Sequence, residues 1–263
     1  MTTAAEHWAS ELAAWAIPEH IMAQATESPW AFTPALFRPP VEPTPDTPSR
    51  VRAREALPEG GSVLDVGCGG GAAGLALVPP AGQVTGFDQS QELLDMFTAR
   101  AGELGIEFEA VQGSWPEDAG SVGPADVVVT HHVAYNVPGL AAFAAELSSH
   151  ARNRVVMELT GQHPRAGVND LWRHFWDLDR PEGPTAADVI AVLREVGIEP
   201  GVERVAQENR AVTQEARVAS VRRYLCLPPE REPEVATLLV DRPAMAGEVV
   251  TLWWDGTAGS LSR

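Results

Sequence analysis

The pattern of apolar and polar positions along the chain predicts strands and helices in turn over most of its length. Seven short segments are predicted to be strands, and apolar residues dominate the first of them without strict alternation, which is typical of a strand buried on both faces of a sheet. They cover residues 62–67, 83–88, 106–112, 126–130, 154–160, 202–207 and 248–254. Because helical segments separate most of them, we expect an α/β fold: a doubly wound, mostly parallel sheet of seven strands with helices on both faces.

Helical spacing of apolar residues defines the predicted helices. In the clearest case apolar residues recur at i, i+3, i+4 and i+7 from Val189, with Thr185 as the N-terminal cap and Gly197 at the end. Further helices are predicted over 4–24, over 47–57, after a glycine turn at 67–71, from residue 90, over 139–150 and over most of 213–245.

Segments outside the alternating pattern divide the chain. Six prolines within residues 34–48 forbid helix and sheet there, so we expect a linker. Residues 1–45 are then an N-terminal helical cap with its linker, and residues 46–263 form the ligand-binding domain. Within that domain, segments 161–184 and 213–245 are expected to be helical insertions that form a lid or contact the substrate.

Charge and composition exclude several classes of protein. A formal net charge of −17 repels phosphate backbones and anionic lipids, so we expect no nucleic-acid or membrane partner. No apolar stretch is long enough for a membrane span, and no signal peptide is evident at the N-terminus. Two cysteines do not form a disulfide framework, which favours a cytoplasmic location.

The chain contains no lysine, since all 19 basic residues are arginine. Schiff-base enzymes, P-loop nucleoside triphosphatases and protein kinases each need a lysine, so their mechanisms are excluded. The Tyr-x-x-x-Lys pair of short-chain dehydrogenases is excluded for the same reason.

The strongest motif is the segment VLDVGCGGG over residues 63–71, where a buried strand runs into a glycine turn. Glycines there allow the backbone to approach a ligand closely. Asp88 ends the next strand, where a carboxylate can bind the two hydroxyls of a ribose. The carboxylate of Asp65 would repel a pyrophosphate but suits a cationic ligand. The pattern therefore indicates an adenosine-containing ligand with positive charge.

Residues 63–71, Asp88 within the sequence GFDQS and the order of predicted elements resemble the class I S-adenosylmethionine-dependent methyltransferases. The resemblance extends over roughly residues 47–210 and the final strand. It implies a Rossmann-like, seven-stranded sheet, S-adenosylmethionine as the cofactor and S-adenosylhomocysteine as the product. The implied activity is in-line transfer of a methyl group to a small molecule.

The resemblance also implies roles for the glycine turn and the acids beside it. Asp65 and the turn that contains Gly67, Cys68 and Gly69 would hold the methionine moiety of the cofactor, and Asp88 would bind its ribose.

Residues at the ends of the second, third and fourth strands would complete the cofactor site. Gln89 would lie beside the adenine, with Ser114 and Trp115 at its edge. Thr130 and His131, at the end of the fourth strand, would lie beside the methyl group. Many relatives have an aspartate where this chain has Ser114, so contact with the adenine amino group would be weaker or made by the main chain.

Candidates for acid–base chemistry follow the fourth strand. His131 or His132 could deprotonate an acceptor or orient its hydroxyl, and Tyr135 is a third candidate for catalysis. Neighbouring residues on a strand point to opposite faces, so the two histidines are a poor chelate and we expect no metal site. The segment also lacks the Asn/Asp-Pro-Pro-aromatic pattern of enzymes that methylate amide or nucleobase nitrogen.

The acceptor is left open by the sequence. Aromatic residues in the additions, among them Trp30 and Trp172, either close over an apolar or aromatic acceptor or belong to the core. The acceptor atom is oxygen, nitrogen or carbon, and the protein is a monomer or a homodimer. Two other functions remain as alternatives: a non-catalytic S-adenosylmethionine-binding protein, and an NAD(P)-dependent oxidoreductase.

Overall fold

A seven-stranded sheet forms the centre of the molecule, and the computed structural model describes residues 2–30, 46–206, 213–240, 242 and 247–258. The strands lie in the order β3-β2-β1-β4-β5-β7-β6, and β7 runs antiparallel to both of its neighbours. Their bounds are β1 Ser62–Val66, β2 Gln83–Asp88, β3 Glu107–Gln112, β4 Ala125–His131, β5 Ala151–Thr160, β6 Gly201–Ala206 and β7 Glu248–Asp255. The predicted fold class is confirmed.

Helices cover both faces of this sheet. Within the described part of the chain they are α1 Ala4–Ala13, α2 Glu19–Met22, α3 Pro48–Ala56, α4 Gln91–Leu104, α5 Leu140–His150, α6 Asn169–Trp176, α7 Ala186–Glu195, α8 Gln214–Tyr224 and α9 Glu232–Leu239. Helices α3 and α4 pack on one face, around Phe97 and Val127. Helices α5 and α7 cover the other face around Phe143 and Leu193, and α1 packs outside them.

Strand alternation assigns the site residues to one of these faces. Leu64 and Val66 of β1 join the cluster under α5 and α7, so Asp65 between them points to the α3 face. Val156 lies on the α3 face, and Glu158, two residues on, follows it. Since Glu158 is the register partner of His131, the ends of β4 and β5 present both residues beneath α3.

The helix predicted over 4–24 is broken into α1 and α2. Pro18 lacks an N–H and disfavours helical conformation at Ile17, so the chain leaves the helix after Ala13 and re-enters it at Glu19. The bend lets Trp8 anchor α1, where its indole donates to the carbonyl of Val137 at 2.8 Å.

The helix predicted after the glycine turn is also wrong. The described structure has turns there and one short 3-10 helix, Leu75–Leu77. Gly71 has φ +83°, outside the helical region, and two prolines at 79 and 80 stop any helix after a few residues. The connection from β1 to β2 is therefore compact, and its N–H groups belong to a turn.

Helices α2, α6, α8 and α9 form a third apolar cluster, and these four helices are called the cap from here on. This cap is not the N-terminal helical cap predicted over residues 1–45, because α1 packs on α5 and α7 instead. Trp172 and Tyr224 are fully buried in it. The insertion that carries α6 closes on itself, because Gln162 and Thr185 at its two ends pair in an isolated β-bridge. Most of the predicted linker over 34–48 falls outside the described residues, as does the end of the 213–245 insertion. Over the described ranges, the helices are all too short or too polar to traverse a bilayer.

Candidate cofactor and acceptor site

The glycine turn joins the carboxyl ends of β1 and β2. Gly67 and Cys68 both donate their N–H groups to the carbonyl of Phe87, at 2.8 and 3.1 Å. Gly67 has φ +72°, and a Cβ added there would lie 2.4 Å from Cγ2 of Val133. The turn therefore requires glycine at this position for its backbone conformation and for the close approach of the loop after β4.

Asp88 lies where the turn meets the start of α4. One carboxylate oxygen accepts from the N–H of Gly69 and the other from the N–H of Ser90, both at 2.9 Å. The neighbouring Gln89 is exposed, and its carbonyl accepts from the amide of Gln112 at 3.1 Å. The structure thus brings Asp88, Gln89 and the turn together, as the sequence predicted.

Asp65 is a carboxylate fully buried beneath the turn. Its Oδ2 accepts from the N–H of Gly74 at 2.7 Å, whereas Oδ1 has no hydrogen-bond partner among the described residues. Burial raises the pKa of Asp65 to about 7; the Gly74 hydrogen bond opposes this shift, and the nearby charge of Asp88 adds to it. A donor or a positive charge at Oδ1 would stabilise the ionised form.

We expect the pKa of Asp65 to make the ligand-free protein less stable as pH rises from about 4 to about 7. In that window the folded state keeps a proton that the unfolded state has lost, so the unfolding free energy falls by up to about 1.4 kcal/mol per pH unit. Asp65→Asn removes this contribution. Urea unfolding of both proteins at pH 5, 6 and 7 tests it, and parallel pH dependences would contradict it.

The remaining predicted cofactor residues lie along the same edge of the sheet. Ser114 is exposed, and its N–H donates to Asp118 at 2.8 Å. Trp115 is partly buried and packs edge-on against Phe87, with ring centroids 5.3 Å apart. Thr130 is buried on the face opposite His131, and its hydroxyl has no partner among the described residues.

Residues of α3 and of the ends of β4 and β5 form a group that we call the His–Glu cluster: Ser49, His131, His132 and Glu158. Ser49 and Glu158 are buried, whereas the two histidines are partly exposed. One oxygen of Glu158 lies 3.2 Å from Nε2 of His132 and 3.8 Å from Nδ1 of His131. Its other oxygen accepts from the Ser49 hydroxyl at 2.5 Å. Both histidines therefore face one carboxylate beside the loop that covers the glycine turn.

The expectation that the two histidines point to opposite faces is wrong. His132 has φ +60°, so the chain leaves the strand geometry at this residue. Its N–H donates to the carbonyl of Glu158 at 2.7 Å, which holds the turn in place. Although the two rings converge, the described residues contain no group of histidine, cysteine and acidic side chains suited to a metal ion.

Glu158 stays ionised in this cluster. Burial alone would raise its pKa, but the charges of His131 and His132 and the hydrogen bonds from His132 and Ser49 hold the pKa well below its usual range. Glu158 and Ser49 were not among the predicted site residues. The signal for Glu158 was a carboxylate inside an otherwise apolar strand, because such a group needs partners.

The geometry at Tyr135 favours a packing role over the predicted catalytic one. Its hydroxyl donates to the carbonyl of Thr160 at 2.8 Å, and burial raises the pKa of the phenol. The ring lies against Trp8 and His163, with centroid distances of 5.7 and 5.3 Å.

Aromatic rings and arginines line the side of the cap next to β5. The imidazole of His163 stacks on Trp15, with centroids 3.7 Å apart, and its Nδ1 accepts from the N–H of Arg165. Burial, with the charges of Arg165 and Arg180, lowers the pKa of His163 to about 3, so this ring is neutral at pH 7. Trp172 is core, whereas Trp30 is 46% exposed.

One open cleft lies away from these residues. It has a volume of about 460 Å³ and lies between α5, α7 and the end of β7, at the opposite edge of the sheet. It has none of the predicted site residues in its lining, which comprises Ala145, Ser148, Val196, Gly197, Ile198, Glu199, Trp254, Asp255 and Thr257.

Part of the chain is similar in sequence to methyltransferases. Residues 63–154 match the family described as a methyltransferase domain. The ubiquinone biosynthesis O-methyltransferases of Cronobacter sakazakii and Escherichia coli are each 33% identical over 116 residues, which cover 44% of this chain and 48% of those proteins. The chain thus matches about half of the length of these relatives.

Two solved structures share the fold. A candidate methyltransferase from Bacillus halodurans has a TM-score of 0.54 at 17% identity, covering 78% of this chain and 97% of its own. A candidate sarcosine dimethylglycine methyltransferase from Galdieria sulphuraria has a TM-score of 0.53 at 13% identity, covering 80% and 83%.

The seven-stranded sheet gives the chain a fold similar to that of these two methyltransferase structures. Residues 63–154 match the methyltransferase domain family, in agreement with the resemblance found in the sequence. The antiparallel β7 between β5 and β6 differs from the all-parallel 3-2-1-4-5-6 order of dinucleotide-binding sheets, which argues against the oxidoreductase alternative.

Proposed function

We propose that this protein transfers a methyl group from S-adenosylmethionine to a hydroxyl oxygen of a small molecule. The observation that carries the proposal is the meeting of Asp88 with the glycine turn, where its carboxylate lies 2.9 Å from the N–H of Gly69. The name of the O-methyltransferase relatives supports oxygen as the acceptor atom.

The residues present fit this cofactor. When bound, S-adenosylmethionine supplies a methyl group on a positively charged sulfur. Asp65 Oδ1 is buried without a donor among the described residues, and the ammonium of a methionine moiety would supply one. Asp88 would accept hydrogen bonds from the ribose.

The His–Glu cluster fits the activation of a hydroxyl. In-line methyl transfer needs mainly alignment, but a hydroxyl must lose its proton as it attacks. His132 would take that proton, and the ionised Glu158 would orient its ring and stabilise the resulting imidazolium. Ser49 holds the second oxygen of Glu158, so the carboxylate is fixed before the acceptor binds.

Asp88→Asn tests cofactor binding. We expect its dissociation constant for S-adenosylhomocysteine, measured by isothermal titration calorimetry, to rise about 10- to 100-fold, because a charged acceptor of ribose hydrogen bonds is lost. Asp126→Asn is the matched control, since Asp126 also accepts from a backbone N–H, that of Ser62, but at the opposite edge of the sheet.

Two results would contradict the proposal. One is a wild-type protein that binds NADH but not S-adenosylhomocysteine. The other is a protein that binds the cofactor yet transfers no tritiated methyl group to any member of a broad panel of phenols and alcohols, which would favour the non-catalytic alternative.

The setting of the reaction is also a proposal. We place it in the cytoplasm, because Cys68 and Cys226 are both unpaired and buried. The net charge of −17 supports a small-molecule acceptor over nucleic acid. Size-exclusion chromatography with light scattering would distinguish a monomer from a homodimer.

A further inference from the structure

Most arginines of the described residues are paired with carboxylates, as expected in a chain with 36 acidic and 19 basic side chains. Arg165 and Arg180 differ, because neither forms an ion pair with an acidic side chain of the described residues. Both lie in the insertion between β5 and α7, on the side of the cap nearest the end of β5. Two cations without acidic partners among the described residues are therefore placed in the insertion that follows β5.

The surroundings of Arg165 leave the edge of its guanidinium available. Its central carbon, Cζ, lies over the ring of Tyr224, 4.3 Å from the centroid, and over the ring of Trp30, 6.0 Å from the centroid. Stacking of this kind occupies the face of a guanidinium and leaves its N–H groups directed outwards in the plane. Those N–H groups make no hydrogen bond to the described residues.

Arg180 adds positive charge but has a structural role. Its N–H groups donate to the carbonyls of Trp15 and Ala16, at 2.5 and 3.0 Å, which ties the insertion to the connection between α1 and α2. Its guanidinium also lies 4.9 Å from the ring centroid of Trp172. Backbone carbonyls do not neutralise a full charge, so the field of Arg180 reinforces that of Arg165.

A chain of contacts connects Arg165 to the carboxyl end of β5. Its backbone N–H donates to His163, whose ring lies 5.3 Å from the ring of Tyr135. Tyr135 in turn binds the carbonyl of Thr160, two residues after Glu158. Arg165 thus belongs to the same end of β5 as the His–Glu cluster.

We infer that Arg165 binds a carboxylate group carried by the methyl acceptor, with Tyr224 supporting the guanidinium from behind. The inference rests on the proposed function, since it names the class of acceptor for that site. A planar guanidinium with a free edge matches a carboxylate through two parallel hydrogen bonds. The net charge of −17 repels an anionic acceptor from most of the protein. Such an acceptor is held only where arginines lack acidic partners.

The test uses a matched pair of probes, 3,4-dihydroxybenzoate and 3,4-dihydroxybenzamide, added to the S-adenosylhomocysteine-loaded protein and followed by ligand-observed NMR titration. We expect the carboxylate to bind about 10- to 100-fold more tightly than the amide. Arg165→Met should remove this preference, and Arg165→Lys should restore it only in part, because an ammonium lacks the planar fork. Arg173→Met, on α6, is the control for loss of an exposed charge in the cap.

The outcomes separate this inference from the proposed function. Equal binding of the two probes, binding of neither, or a carboxylate preference that survives Arg165→Met would overturn the inference. Calorimetry with S-adenosylhomocysteine is run on the same samples. Unchanged cofactor binding alongside any of those results leaves the proposed function standing, whereas failure of the wild-type protein to bind the cofactor would reject the proposed function itself.

Discussion

Glu158→Gln is expected to lower kcat for methyl transfer by about 10²- to 10³-fold, within the range that acid–base catalysis contributes. Glutamine keeps the shape of the side chain and its hydrogen bond from Ser49, but it cannot stabilise an imidazolium on His132. The readout is tritiated methyl transfer to an acceptor that the wild-type protein methylates, with kcat and KM measured separately from pH 5.5 to 9.

Two features distinguish this positioning role from a merely structural one. The loss should appear in kcat with little change in the affinity for S-adenosylhomocysteine, and the acidic limb of the pH–rate profile should move to lower pH. Glu203→Gln is the control, because it removes another strand carboxylate, one paired with Arg52 at 2.9 Å. An unaltered pH–rate profile in Glu158→Gln would reject a role in proton transfer.

Gly67→Ala is expected to destabilise the fold by about 2–5 kcal/mol. A left-handed conformation costs an alanine about 1–2 kcal/mol, and forcing a methyl group into a packed site costs about 1–3 kcal/mol more. The added Cβ would lie 2.4 Å from Val133 at a φ of +72°. Urea unfolding gives the free-energy change, and calorimetry should show that S-adenosylhomocysteine binding is lost.

Gly60→Ala is a close control for this variant. Gly60 has the same φ of +72°, but an added Cβ there has no neighbour within 4 Å. It should show only the conformational cost, so the difference between the two variants measures the clash with Val133. Equal destabilisation of the two variants would mean that the loop after β4 moves away without cost.

Local features of the chain could be predicted from its sequence. The central strands β1 and β4 were readable because buried parallel strands are continuously apolar. Asp65 stood out because it directly precedes the glycine turn, and Asp88 because it ends the next strand. The helix assigned after the glycine turn was wrong because Gly71 lies outside the helical region, at φ +83°, and the prolines at 79 and 80 stop any helix after a few residues.

Contacts between distant segments could not be predicted. Ser49 and Glu158 are 109 positions apart, and they meet only because α3 crosses the ends of β4 and β5. The φ of +60° at His132 has no signature in its residue type, so the convergence of the two histidines was not readable. The cations of the cap were visible as arginines, but their lack of acidic partners is a property of the folded molecule.

The β-bridge between Gln162 and Thr185 brings the two ends of an insertion side by side at the rim of the sheet. A segment whose ends already meet can be exchanged for a longer or shorter one without altering the strands below it. The proposed cofactor residues lie on β1, β2 and β4 and in the turns after β1, β2 and β3, outside this segment. Evolution, or a protein engineer, could therefore vary the acceptor through segment 163–184, provided that the new segment still offers a carbonyl to Trp15, as Gly183 does now.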